Sequence, residues 1–291
     1  MFSIIICSIN EAYLNALKIN VGESIGCPYE LLVWDNRLSA KPIAEVYNML
    51  GKQAKYPYLC FLHEDIIFQT RNWAALLLAA YQNDPELGMI GVAGAKYKSK
   101  TPSGWSTGIP ALDRMHILHR DKNGEVKRLY SDLQHSSPEP VVNVDGVFIC
   151  VRKEVLETVQ FDEQFLKGFH LYDIDFSFRV ARKYKAVVTL SIDIVHLTEG
   201  GDYGNNWVEE TLRWHKCNAP ELPQMIPELR SSRALERKIS RFWLRRLSSE
   251  KISWRNKLRW ILACRGYADP GAWPDLALFL FKRSFNIRGR Y

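Results

Sequence analysis

The segment Tyr58-Leu-Cys-Phe-Leu-His-Glu-Asp-Ile-Ile-Phe68 limits the fold more than any other stretch. A mostly apolar run passes straight into His63-Glu64-Asp65, and apolar residues resume at once. A short unbroken apolar run is what a strand buried on both faces of a parallel sheet looks like. Three metal-competent side chains at its C-terminal edge sit where open α/β sheets place their ligands. Strand alternation puts His63 and Asp65 on one side and Glu64 on the other. The competing reading is a solvated acidic loop after a strand.

The same design repeats along the chain. Phe2 to Ile9, Tyr29 to Trp34 and Gly88 to Ala93 read as further buried strands. Between them, Ala12 to Val21, Ile43 to Leu50 and Trp73 to Asn83 have helical spacing, the last closed by Asp84-Pro85. Strands alternating with helices predict an α/β fold: three-layer, Rossmann-like, with a mostly parallel sheet. From Lys98 to Pro140 the pattern lapses into Gly104, Gly108, Pro110, an Asp121-Lys-Asn-Gly124 turn signal and Pro138-Glu-Pro140. Long irregular stretches in a compact domain usually serve as lids or substrate-binding insertions. Val141 to Arg152 resumes the core as a strand interrupted by Asp145-Gly146. Ile174, Phe178 and Ala181 then recur at helical spacing, which places Asp173 in a first helical turn. Ala186 to Ile192 is another strand, and His196 precedes a Gly-rich turn over Glu199 to Gly204.

Charge divides the 291-residue chain unevenly. The formal net charge is +7, yet residues 230–291 hold 16 Lys and Arg against 4 Asp and Glu, leaving the rest of the chain net acidic. A neutral-to-acidic body, residues 1–220, and a basic α-helical extension, residues 221–291, are therefore expected. In the extension, Leu235, Ile239, Phe242, Trp243 and Leu247 share one helical face, and Trp254, Leu258, Ile261 and Leu262 repeat the design. Three readings of it stand: an anionic membrane surface, packing against the body or a second copy, and nucleic acid. No nucleic-acid module is recognisable, so that reading is set aside. The six cysteines form no CxxC pair. Phe2 to Ile9 is too short for a secretory signal, and the longest strongly apolar stretch, Trp73 to Tyr81, reaches about half of a membrane span. A reduced, cytosolic chain is expected.

Taken in order, six features form a pattern: Ser8-Ile-Asn10, Trp34-Asp35-Asn36, His63-Glu-Asp65, Asp145-Gly146, Tyr172-Asp-Ile-Asp-Phe176 and a late His196. Over roughly residues 1–205 this resembles the nucleotide-sugar glycosyltransferases of the GT-A fold, in particular the large inverting family that includes bacterial polysaccharide synthases. The resemblance implies a UDP- or GDP-sugar donor, and a Mn²⁺ or Mg²⁺ ion held by Asp65 and His196, with His63 beside them. It implies donor nucleotide contacts at Asn10, Asp35, Glu64 and Lys96, and sugar or acceptor contacts at Asp145, Gly146 and Asp175. Asp173 is implied as the catalytic base, and a glycan or lipid-linked molecule as the acceptor, met in the 98–140 region. A lipid-linked acceptor suits a cytoplasmic enzyme lying peripherally on the inner membrane face.

Two positions depart from the family's pattern. His63 stands where the family usually has Asp, and Tyr172 where it has Glu; imidazole suits Mn²⁺ better than Mg²⁺. Plainer readings exist beside these roles. Asp35-Asn36 is also a turn signal, His196 suits a hydrogen-bonded strand end, and Asp173 suits a helix N-cap. A nucleotidyltransferase is disfavoured, because Ser8-Ile-Asn-Glu-Ala12 lacks a Gly-rich basic loop. The His63 and Tyr172 departures suggest the remaining rival, a non-catalytic carbohydrate- or nucleotide-binding protein of the same fold.

Overall fold

The computed structural model describes residues 1–120, 125–130, 138–197 and 203–282. The chain divides into two compact units. One comprises Met1–Lys96 and Asp113–Gly200, the other Tyr97–Leu112 and Gly201–Tyr291.

In chain order the first unit carries β1 (Phe2–Ser8), α1 (Glu11–Ser24), β2 (Tyr29–Asp35), α2 (Ile43–Gln53), β3 (Tyr58–Leu62), β4 (Ile66–Phe68), α3 (Trp73–Asn83), β5 (Leu87–Gly91) and β6 (Ala93–Ala95). Past β7 (Tyr97–Lys98), which belongs to the second unit, it resumes with β8 (Asp113–Arg120), β9 (Val126–Tyr130), β10 (Glu139–Val141), β11 (Asn143–Val144) and β12 (Phe148–Arg152). It ends with α4 (Lys153–Thr158), α5 (Tyr172–Val180), β13 (Lys185–Val188) and β14 (Ile194–His196).

A 7-stranded sheet in the order β10-β13-β5-β12-β3-β1-β2 forms its backbone. Strands β2, β1, β3, β5 and β13 run one way, as the sequence predicts. Strand β12 does not: it lies between β3 and β5 and runs against both. Its apolar residues Phe148 to Val151 are buried, and a strand covered on both faces has the same apolar signature in either direction. The core forms where sheet residues Ile4, Ile6, Phe61 and Ile149 are fully buried. Phe68 stacks on Trp73 at 4.5 Å, tying β4 to α3.

A second sheet, β11-β6-β8-β14-β4 with β9 paired to β8, corrects the expectation for residues 98–140. Within that stretch β8 and β9 form an antiparallel ladder. Strand β8 reads Asp-Arg-Met-His-Ile-Leu-His-Arg, and its polar, half-buried residues hide it from an apolar-run reading. The turn signal at 121–124 and most of the Gly-rich turn at 199–204 lie outside the described residues.

The second unit holds α6 (Asn205–Asn218), β15 (Gln224–Met225), α7 (Arg233–Leu247), α8 (Trp254–Cys264) and α9 (Trp273–Phe281), with β15 paired to β7. Trp207 stacks on Trp243 at 5.3 Å and on Trp260 at 5.7 Å, an aromatic core joining α6, α7 and α8. The apolar face of α7, including Ile239, Trp243 and Leu247, is buried within this unit, so that helix packs inward. Among the described residues no helix is long and apolar enough to cross a membrane. The six cysteines are free.

Candidate active site

The end of β3 is where the chemistry gathers, and the direction of β12 is the reason. Antiparallel register sets Phe148 opposite Leu62, and the His63 backbone N–H donates to Val147 O at 3.2 Å. The residues just before β12, Asp145 and Gly146, therefore arrive beside His63. The first turn of α5 brings Tyr172 and Asp173 to the same place. Strand β14 delivers His196, and the Leu197 N–H donates to Asp65 O at 2.8 Å.

Ligand atoms of His63, Asp65 and His196 all lie within 4.8 Å of one another. His196 Nε2 is 3.2 Å from Asp65 Oδ2, and His63 Nδ1 is 3.9 Å from Asp65 Oδ1. Burial lowers the His63 pKa despite the carboxylates of Asp65 and Asp145, so its imidazole favours the neutral form that keeps a lone pair. Burial acts the same way on His196, but the hydrogen bond and charge of Asp65, aided by Asp145, outweigh it and raise that pKa. Two imidazoles and one carboxylate fit a divalent transition-metal ion; for Mg²⁺, which prefers oxygen donors, the set is poorer.

The two departures from the family's pattern touch each other. His63 Nε2 lies 2.7 Å from the Tyr172 hydroxyl, which in turn is 3.3 Å from Gly146 O. The Tyr47 ring meets the Tyr172 ring edge to face at 5.5 Å. With the phenol proton on Gly146 O, His63 carries its proton on Nε2, leaving Nδ1 bare on the Asp65 side. A Cβ on residue 146 would fall 2.1 Å from the Tyr172 hydroxyl, so glycine is required there.

Asp173 Oδ2 accepts the Gly146 backbone N–H at 3.0 Å. Burial, with the Asp145 charge adding, raises its pKa to about 7, against the pull of three backbone N–H groups. The N-cap of α5 is Leu171 rather than Asp173, held in the left-handed region at φ 62°. A leucine there stores backbone strain directly before the two site residues. Asp145 accepts the Val147 N–H at 2.9 Å.

The other expected residues have separate places. Glu64 points to the opposite side of the strand end, as alternation predicts, and accepts the backbone N–H groups of Ile9 and Asn10 together with the Ser8 hydroxyl. The Asn10 side chain caps α1 through the N–H groups of Ala12 and Tyr13. Asp35, exposed at the end of β2, is held to a pKa of about 2 by hydrogen bonds from Arg37, which also bridges to Glu11. Lys96 pairs with Glu139 at 2.8 Å, and buried Asp175 pairs with Arg179 at 2.6 Å; neither pairing involves the metal-competent cluster. A hollow of about 700 Å³, lined by Gln160, Arg179 and Lys183 among others, includes none of the cluster residues either.

Sequence reasoning missed three neighbours. Tyr47 gave no signal beyond helical spacing. His119 lies opposite His196 in the β8–β14 register, with the rings edge to face at 5.1 Å, inside a stretch that read as irregular. Phe169, 59% exposed, has its ring 6.1 Å from that of His63, a contact that nothing in its sequence position signals.

No curated protein matches by sequence. Residues 1–349 of S. aureus TarS are similar in structure at 13% identity and a TM-score of 0.51, covering 97% of this chain and 87% of that one. The mannosyltransferase PcManGT from Pyrobaculum calidifontis, in complex with GDP-Man and Mn²⁺, gives 13% and 0.50, covering 98% and 79%. GalNAc-T7 with UDP, GalNAc and Mn²⁺ gives 12% and 0.50, covering 73% of this chain; the chain spans 47% of that protein. At such identities the likeness is one of fold, and that fold is GT-A. The sequence profile described as "Glycosyltransferase like family" matches residues 3–221, most of the chain, and the chain therefore belongs to the glycosyltransferase-like family.

Proposed function

We propose that this protein is a metal-dependent inverting glycosyltransferase, moving a sugar from a nucleoside-diphosphate donor to a hydroxyl of a glycan or lipid-linked acceptor. One observation carries the reading. Gly146 touches both halves of the site: its carbonyl meets the Tyr172 hydroxyl that holds His63, and its N–H holds Asp173. His63, Asp65 and His196 would hold a divalent cation, Mn²⁺ in preference to Mg²⁺. When bound, such an ion offsets the charge that develops on the departing diphosphate.

The chain's own groups do the rest. Asp173 takes the proton of the acceptor hydroxyl as its oxygen attacks the anomeric carbon from the face opposite the leaving group. A carboxyl whose pKa lies at about 7 is a much stronger base than an ordinary carboxylate, and an appreciable fraction is ionised at neutral pH. The Gly146 N–H fixes the direction of that carboxylate, and the Asp145 charge acts on it and on both imidazoles. Asn10 and Asp35, at the ends of adjacent strands, are assigned to the nucleotide. Glu64 shapes the turn that carries Asn10, and Lys96 is kept as a phosphate contact that must first leave Glu139. Catalysis is assigned to residues 1–220, with residues 221–291 as an accessory extension, in a cytoplasmic and peripheral setting.

Thermal shift with UDP and with GDP, each with and without Mn²⁺, is the first test. Stabilisation by one nucleotide that depends on Mn²⁺ is expected. Indifference to both would sink the reading. The His63–Tyr172 contact favours a second one, a binding protein of the same fold in which a neutral pair replaces two acids. Nucleotide stabilisation without any turnover of a donor sugar would support it.

A further inference from the structure

Within the second unit, the outer surfaces of α8 and α9 are built the wrong way round for a water-facing helix pair. Amphipathic surface helices turn polar residues to solvent. Here Trp254, Leu258 and Leu262 are 54%, 52% and 65% exposed, while Asn256 and Lys257 of the same helix are buried. At about 3.6 residues per turn the three apolar residues form one row, with exposed Arg255 and Arg259 in the row beside it. Helix α9 repeats the inversion. Trp273 and Phe281 are 59% and 50% exposed, whereas its one acidic residue, Asp275, is buried and binds Arg241 and Arg245 of α7. The Trp254 and Phe281 rings meet at 5.8 Å, so the two outer rows join into one patch.

We propose that this patch is a docking surface for an anionic phospholipid bilayer. Apolar rows with indole rings, flanked by arginines and with the pair's one acidic side chain turned inward, match the boundary between acyl chains and negative headgroups. Aromatic side chains enter the interfacial layer while Arg255 and Arg259 remain at headgroup level. The docking element is α8 with α9. Helix α7, the stronger amphipathic signal in the sequence, is consumed by internal packing. A bilayer needs no deep pocket, which suits a surface made of two helices. The proposal is independent of the catalytic reading, because no nucleotide or metal takes part.

The test is co-sedimentation of the full chain with two kinds of vesicle, pure phosphatidylcholine and phosphatidylcholine mixed with phosphatidylglycerol. Binding to the mixed vesicles and little to the neutral ones is expected. Arg255→Gln with Arg259→Gln should weaken partitioning by roughly thirtyfold. Trp254→Ser with Leu258→Ser and Leu262→Ser should weaken it by roughly tenfold or more. These positions are exposed, so circular dichroism should stay native. A chain that stays in the supernatant with both vesicles overturns the proposal, as do variants that sediment like the parent. A concentration-dependent dimer abolished by the same serine substitutions, without vesicle binding, also overturns it and assigns the patch to a second copy.

Discussion

Asp173 owes its base strength to burial and to Asp145, and both the rate and the stability of the protein should show it. Replacement by Asn is expected to cut turnover by about 10²–10⁴-fold while leaving nucleotide-induced thermal shifts close to wild type. Because the ionised form acts, the rate should climb as pH passes upward through about 7. The stability effect has the opposite sense. Its folded pKa lies above the unfolded value, so this group's contribution is full at acidic pH and lost as pH rises through about 7. Asp173→Asn should therefore gain thermal stability relative to wild type more at pH 8 than at pH 4, measured without metal. Tyr172 acts through His63, being 2.7 Å from Nε2. Tyr172→Phe should weaken Mn²⁺ binding by about 10–100-fold, read by titration of the metal alone; unchanged affinity would remove Tyr172 from that role.

At the level of elements, the turn between β1 and α1 hangs on one carboxylate. Glu64 takes two backbone N–H groups and a hydroxyl there, so Glu64→Ala should cost about 1.5–3 kcal/mol in denaturant unfolding, whether or not nucleotide is present. Gly146→Ala must displace the Tyr172 ring and is expected to lose about 1–3 kcal/mol along with Mn²⁺ affinity. The elements also show what the sequence made legible. β1, β3 and the first turn of α5 are written in apolar runs and spacing, and the resemblance to GT-A transferases named His63, Asp65, Asp173 and His196 before their meeting was known. The direction of β12 could not be read, since a doubly covered strand carries no polarity signal, and that direction brings Gly146 to His63. β8 escaped because a half-buried strand with five charged or imidazole side chains looks like loop. Asp175, which the resemblance assigned to sugar or acceptor, is buried and pairs with Arg179 one turn along the same helix.

Across the molecule, charge asymmetry marked the C-terminal region as a separate problem, but composition could not tell which helix faces inward. The answer lay in burial: α7 spends its apolar face inside the unit, with Trp243 on Trp207, while α8 and α9 each leave further apolar residues outside. The same long view applies to the contact between His63 and Tyr172, which joins residues 109 apart in sequence. Closing so wide a loop comes late in a chain's search for its native state. Competence for Mn²⁺ should accordingly be a clock for completed folding, returning after most helical signal during refolding from denaturant. Stopped-flow traces in which ion binding and circular dichroism recover together would show that this corner of the protein is organised far earlier than its wiring suggests.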